Sequence, residues 1–202
     1  MAHRQGDYTA ARVHLEESVA VWWTSNDREG TRAGSGLGPS LSALGNLALD
    51  QGDYAMARAA FEERLAIWQE VGSRRNIAFA VNSLGSLALA EGDYVTARAR
   101  FEESLAIWGE TGDRGGIAFL LASFAELATA EAQPPRALRL AGAAASLREK
   151  HGTPLAPSSQ ARLERTLELV RSAFSGEDDS VAWAEGQAMT LDQAIAYALS
   201  VE

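Results

Sequence analysis

The sequence predicts an all-α fold, a solenoid of stacked helical hairpins that is closed by a C-terminal helical cap. The triplet Gly-Asp-Tyr recurs at residues 6–8, 52–54 and 92–94. Its surroundings recur as well, since LGNLALDQGDYAMARAAFEERLAIW begins at residue 44 and LGSLALAEGDYVTARARFEESLAIW begins 40 residues later. Residues 117–147 hold a degenerate copy, and residues 5–22 match only the second half of the unit. Within each copy the apolar residues recur at helical spacing.

Each copy is predicted to form two helices, because two separate stripes of apolar residues recur at steps of three and four. The stripe of the first helix comprises Leu37, Leu41, Leu44 and Ala48 in one copy and Ile77, Val81, Leu84 and Ala88 in the next. The stripe of the second helix comprises Tyr8, Ala11, Leu15, Val19 and Trp22, then Tyr54, Ala57, Phe61, Leu65 and Trp68, then Tyr94, Ala97, Phe101, Leu105 and Trp108. The tryptophans end the stripe in register, which indicates packing between repeats.

The Gly-Asp-Tyr triplet is predicted to be the corner between the two helices. Gly52 and Gly92 fit the position just after a helix, where a left-handed backbone is common. Asp53 and Asp93 fit the N-cap of the second helix. The tyrosine that follows is expected to be the first buried aromatic residue of that helix, and the aspartates are therefore interpreted as structural rather than catalytic.

The pairing of a small residue in the first helix with a small residue and an aromatic residue in the second resembles the tetratricopeptide repeat. The residues that carry the resemblance are Gly45, Ala57 and Phe61, then Gly85, Ala97 and Phe101, and it covers about residues 5–150. The usual repeat of that family has 34 residues, so the period of 40 implies longer helices, as in the repeats of kinesin light chain. The resemblance implies a right-handed superhelical solenoid whose first helices line the concave surface.

The expected domain organisation is a repeat array followed by a cap. The array spans residues 1–152, with a half repeat at 6–25 and repeats at 37–71, 77–111 and 117–150, and the cap spans 153–202. In the cap we expect helices at 159–174, about 178–185 and 190–200, the last opened by a capping box of Thr190 and Gln193. Small residues in the last repeat are expected to admit a cap helix at close range: Ala141, Gly142, Ala144 and Ala145. Residues 136–199 also resemble the end of the repeat regions in bacterial LuxR-type regulators and signal-transduction ATPases.

Composition and charge argue against several functions. The formal net charge of −9 disfavours binding to nucleic acid, which needs a basic face. The chain has no cysteine, and His3, His14 and His151 are scattered, so neither a metal site nor a cofactor is expected. No apolar run is long enough to span a membrane, and cytoplasmic localisation is the expectation. An enzyme is disfavoured for lack of a nucleophile, a metal set or a phosphate loop.

Charged pairs on the second helices are interpreted as a solvated face. Three arginines each precede a glutamate by four residues, which permits ion pairs within the helix. The pairs are Arg12 with Glu16, Arg58 with Glu62, and Arg98 with Glu102.

Two surfaces are candidates for binding. Following the resemblance, the concave groove would carry Ser42, Asn46, Asp50, Phe79, Asn82, Ser86, Phe119 and Glu126. No lysine or arginine is among them, so the family's clamp for a terminal carboxylate is not supported. The first helix lacks a partner helix, and its edge would carry Tyr8, Leu15, Val19, Trp22 and Trp23. That edge is compatible with a homodimer, with a longer array, or with a helix that folds back on the chain.

These patterns favour a non-enzymatic adaptor or scaffold that binds a protein or peptide in the concave groove. Two alternatives stay open: a sensor or assembly domain of a bacterial transcriptional or signalling regulator, and a homodimerisation module that uses the first helix. The ligand itself is not identified by the sequence.

Overall fold

The structure is a computed structural model that describes residues 10, 12–21, 36–152, 164, 168 and 177–200. All secondary structure in these ranges is α-helical, which confirms the predicted all-α class. An N-terminal helical segment at 12–21 precedes α1 (Leu37–Gln51), α2 (Tyr54–Val71), α3 (Arg74–Glu91), α4 (Tyr94–Thr111), α5 (Arg114–Ala130), α6 (Pro134–His151), α7 (Glu177–Ala188) and α8 (Leu191–Leu199). Most of the predicted helix at 159–174 and much of the half repeat at 6–25 lie outside the described residues.

Three antiparallel hairpins, α1–α2, α3–α4 and α5–α6, bury the predicted stripes against one another. Small residues let the paired helices approach closely. A Cβ on Gly85 would lie 2.5 Å from a ring atom of Phe101, whose side chain is fully buried. In the last hairpin the equivalent positions hold Ala125 and Ala141, both fully buried, so the glycine–phenylalanine pair is replaced by two alanines.

The corners between α1 and α2 and between α3 and α4 have the predicted backbone conformation and the predicted N-caps. Gly52 and Gly92 have φ of 75° and 81° and end α1 and α3 in the left-handed region. Asp53 accepts a hydrogen bond from the backbone N–H of Met56, and Asp93 accepts one from Thr96 in the same way. Both aspartates are therefore capping residues.

The expectation that the corner tyrosine is buried was wrong. Tyr54 and Tyr94 are 36% and 37% exposed, because the first residue of a helix still lies at the solvent-facing corner. The hydroxyl of Tyr54 donates to the carbonyl of Ala90 at 3.2 Å, so the ring spans the boundary to the next hairpin. The tyrosine thus contributes to contact between repeats rather than to the interior.

The ion pair that the spacing permits within the second helix forms in one repeat, and in the other two the arginine has a partner elsewhere. Arg12 pairs with Glu16 at 2.9 Å. Arg58 pairs instead with Glu91 at the end of α3, and Arg98 pairs with Glu131 just after α5. For Arg58 and Arg98, a carboxylate on the neighbouring hairpin competes with the glutamate four residues later in the same helix. In both cases the pair across the repeat boundary forms.

Successive first helices contact one another, α1 with α3 and α3 with α5. No comparable contact joins α2 to α4 or α4 to α6 in the described part of the chain. The first helices therefore form the inner layer of the curved stack. The tryptophan prediction agrees with this arrangement, since Trp68 packs against Gly38 of α1 and Ala80 of α3.

The cap helices cover the end of the last hairpin. A Cβ on Gly142 of α6 would lie 2.5 Å from the carbonyl oxygen of Trp183 in α7, so the small residues do admit a cap helix. Helix α8 begins with the predicted capping box of Thr190 and Gln193. Its last turn is held by Arg136 of α6, which is 4% exposed. Where the array gives way to the cap along the chain stays a prediction.

Candidate functional site

An aromatic cluster lies at the inner layer. The ring centroids of Phe79 and Phe119 are 5.6 Å apart, and that of Trp108 lies 4.9 Å from Phe79 and 6.3 Å from Phe119, all edge to face. Trp108 is fully buried, whereas both phenylalanines are half-buried. Such contacts fix the rings. The two predicted anchors are therefore brought together as one rigid apolar ledge across α3 and α5.

Charged groups at the N-terminal end of α3 border this ledge. The guanidinium of Arg75 lies 5.9 Å from the centroid of the Phe79 ring, and its Nε pairs with Asp113 at 3.0 Å. Asp113 also accepts a hydrogen bond from the N–H of Gly116 as the N-cap of α5. The carboxylate of Asp113 therefore links Arg75 on α3 to the N-terminus of α5.

The polar groove candidates divide into buried and exposed residues. Asn82 and Ser86 are only 3% and 8% exposed. They share one face of α3 with Phe79, as their spacing requires. The Oδ1 of Asn82 is buried and has no hydrogen-bond partner among the described residues. Of the others, Asn46 and Asp50 are exposed, and Ser42 and Glu126 are half-buried.

Arg64 of α2 is a residue that the sequence-based site prediction missed. Its side chain is 9% exposed and donates from Nη1 to the Oγ of Ser83 at 3.4 Å. Ser83 in turn donates to the carbonyl of Phe79 at 3.0 Å. Burial lowers the pKa of Arg64 to about 10. A comparison of the copies could have found it, since the positions in register are Ser18, Ser104 and Ala144.

The predicted edge of the first helix is partly covered by the chain itself. Val19 packs against a cluster of α1 and α2 that contains Leu37 and Ala60, and Leu15 is half-buried. Val13 and Val21 on the same segment are 45% and 65% exposed. The other predicted edge residues lie outside the described residues: Tyr8, Trp22 and Trp23. A role of this edge in dimer formation stays a prediction.

The described residues contain neither a metal-binding cluster nor a membrane-spanning helix. Among them, no group of three or more histidine, aspartate or glutamate residues is placed to hold a metal ion. No helix in the described ranges is long and apolar enough to cross a membrane.

Residues 37–107 match the family profile described as "Tetratricopeptide repeat", and residues 1–17 match a second profile with the same description. No curated protein matches the chain. Repeats of this family generally mediate protein–protein interactions and are generally not enzymes.

Proposed function

The chain belongs to the tetratricopeptide-repeat family, and from this premise we propose that it is a non-enzymatic adaptor or scaffold. In this proposal the inner layer of α1, α3 and α5 binds an extended peptide segment of a partner protein. Stacked helical hairpins offer a long concave surface of this kind. The side chains that line this surface determine which peptide groups it can bind.

The observation that best supports the proposal is a contrast between core and groove. Core positions repeat almost unchanged between the first two full copies, whereas the groove positions differ. Position 42 is Ser and its equivalents at 82 and 122 are Asn and Ala, while 46, 86 and 126 are Asn, Ser and Glu. Packing alone would favour the same residue at each step, so the variation favours recognition of a non-repetitive ligand.

The groove also offers chemistry that suits a peptide. The half-buried ledge of Phe79 and Phe119 would receive an apolar side chain. The exposed amide of Asn46 would donate to and accept from the backbone of the ligand.

The test is selection of binding peptides from a display library with the whole chain as target. Asn46→Arg places a large charge at an exposed groove position, so it is expected to abolish binding of the selected peptides without unfolding the protein. The matched control is Val95→Arg, because Val95 is 82% exposed on the second helix α4. Equal loss of binding in both variants, or no selected peptide at all, would contradict the proposal.

A homodimer through the first helix is a second candidate, supported by the exposure of Val13 and Val21. Light scattering at several concentrations tests it. Val21→Asp should shift the mass toward the monomer if the edge is an interface, and a mass that stays monomeric throughout in the unaltered chain excludes it. Assignment to a bacterial signalling regulator rests on the resemblance of residues 136–199 alone and stays a prediction.

A further inference from the structure

The two cap helices, α7 and α8, leave a cleft between them. Helix α7 packs along α6 so closely that a Cβ on Gly186 would overlap the carbonyl oxygen of Arg139. Helix α8 contacts α5 and α6, and in the described part of the chain it makes little contact with α7. The cleft between them has a volume of about 650 Å³, which falls within the range of about 300–1,000 Å³ that is usual for ligand sites.

One face of each cap helix lines this cleft. The lining residues are spaced by three and four positions along each helix, and they include Glu185, Ala188, Met189, Gln193, Ala196 and Tyr197. Val181 lies one turn before Glu185 on the same face of α7 and is 53% exposed, so the apolar surface continues along that helix. Two helix faces are therefore open to a partner.

Both walls of the cleft are anchored to α6. The guanidinium of Arg136 lies 5.1 Å from the centroid of the Tyr197 ring and donates to the carbonyl of the same residue at 3.0 Å. On the other wall, Arg139 donates from Nε to the carboxylate of Glu185 at 2.6 Å. The cleft is thus pre-formed, which lowers the cost of ordering its side chains when a ligand binds.

The walls suit a helix better than an extended peptide. Along α7 and α8 the backbone groups are bonded within their own helices, and Ala188, Met189 and Ala196 offer no strong hydrogen bond to the backbone of a ligand. A helix satisfies its own backbone and can present an apolar stripe to such a cleft. The small side chains of Ala188 and Ala196 also permit the close approach of about 8–10 Å between the axes of packed helices.

Charge determines which kind of helix fits. Residues 177–200 contain five acidic residues and no lysine, arginine or histidine. Arg139 neutralises Glu185, but Asp192, one turn before Ala196, is exposed and forms no ion pair with the described residues. The net charge of −9 attracts a cationic partner at long range. The same charge disfavours a second copy of this chain, whose cap is equally acidic.

We propose that the cleft between α7 and α8 binds a basic amphipathic helix of a partner protein. The apolar face of that helix packs on Ala188, Met189 and Ala196, and a lysine or arginine beside this face pairs with Asp192. None of these residues belongs to the concave groove, so the inference goes beyond the proposed function. A scaffold with both surfaces holds one partner along its inner layer and another at its C-terminal end.

The probe is a leucine–lysine peptide of about 18 residues, patterned as an amphipathic helix and titrated into the whole chain by calorimetry. Its counterpart has glutamate at every lysine position and should bind at least about tenfold more weakly, because its charge opposes that of the cap. Ala188→Arg adds bulk and positive charge inside the cleft and should weaken binding of the leucine–lysine peptide about tenfold or more.

The matched control is Gln187→Arg, which adds the same charge at the neighbouring exposed position outside the cleft. It should change the affinity by less than about threefold, since an exposed charge away from the contact is screened. If Ala188→Arg does not fold, Asp192→Asn keeps the shape of the cleft and should weaken binding about two- to fivefold, as for loss of an exposed ion pair.

Several outcomes overturn the inference. Absence of binding does so, as does equal weakening by Ala188→Arg and Gln187→Arg, which indicates attraction to the acidic surface at large. Loss of binding in Asn46→Arg alone places the peptide in the concave groove and leaves the proposed function intact. A fall in the mass of the peptide-free chain on Ala188→Arg, measured by light scattering, shows that a second copy occupies the cleft.

Discussion

Arg98 donates from Nη2 to both carboxylate oxygens of Glu131, at 3.0 and 2.7 Å, and thereby ties α4 to the end of α5. One repeat earlier, Arg58 donates in the same way to Glu91, at 2.8 and 2.6 Å. The two pairs are equivalent in register but differ in exposure. Both side chains of the Arg98 pair are 20% exposed, whereas Arg58 and Glu91 are 49% and 28% exposed. The two pairs therefore allow the same contact to be compared at two degrees of solvent exposure.

A double-mutant cycle with Arg98→Ala and Glu131→Ala should therefore give a larger coupling energy than the equivalent cycle at Arg58 and Glu91. We expect about 1 kcal/mol for the Arg98 pair and a few tenths for the Arg58 pair, since solvent weakens exposed ion pairs. The measurement is urea unfolding at low and high salt. Equal coupling in the two cycles would show that burial does not decide the strength of this contact.

The close approach of α3 and α4 predicts the effect of a single added methyl group. Gly85→Ala should destabilise the protein by about 1–3 kcal/mol, because the new Cβ would overlap the buried ring of Phe101. Gly109→Ala in α4 is the control, since its Cβ would have nothing within 4 Å. It should stabilise the helix by up to about 1 kcal/mol. Thermal unfolding of both variants checks the two opposite signs.

The corner between α5 and α6 lacks the glycine that ends α1 and α3. Ala132 has φ of 56°, in the left-handed region that costs a residue with a Cβ about 1–2 kcal/mol. Ala132→Gly removes that strain but adds freedom to the unfolded chain, so a net gain of less than about 1 kcal/mol is expected. Gly92→Ala at the equivalent corner should instead reduce the unfolding free energy. Equal signs for the two substitutions would contradict this account.

The position of the cap helix α8 depends on Arg136. Its guanidinium donates to the carbonyls of Tyr197, Ala198 and Ser200, at 3.0, 3.0 and 2.7 Å. Arg136→Lys cannot make the same fork of hydrogen bonds, so α8 should open locally while α1 to α4 keep their protection. Hydrogen exchange by mass spectrometry over residues 191–199 measures this. Arg114→Lys, at an exposed position, should leave the exchange of α8 unchanged.

The cap of α4 predicts a pH dependence. Hydrogen bonds from Thr96 lower the pKa of Asp93 below its ordinary value. A carboxyl group with a lowered folded-state pKa stabilises the fold above its unfolded pKa of about 4, and that stability is lost as pH falls through the folded value. Asp93→Asn keeps the cap without titrating. Below about pH 4 the unfolding midpoint of Asp93→Asn should therefore rise relative to that of the unaltered chain. A difference between the two midpoints that stays constant across pH would refute the linkage.

The sequence by itself determined the repeat, the helical hairpin and its corners. Periodicity and capping act over three or four residues, so Gly92 and Asp93 could be assigned from their neighbours along the chain. The complementarity of Gly85 and Phe101 was visible as well, because the same pair recurs in two copies.

Only the tertiary structure decided which side chains meet across repeat boundaries. Arg58 and Arg98 each had a suitable glutamate four residues along, yet their partners came from the neighbouring hairpin. Likewise, Asn82 was expected at an open surface and is buried, and Arg64 reaches a face that its own helix does not form. Pairing and burial depend on distances between helices, which are set by the packed side chains of both, and no periodicity within one helix records them.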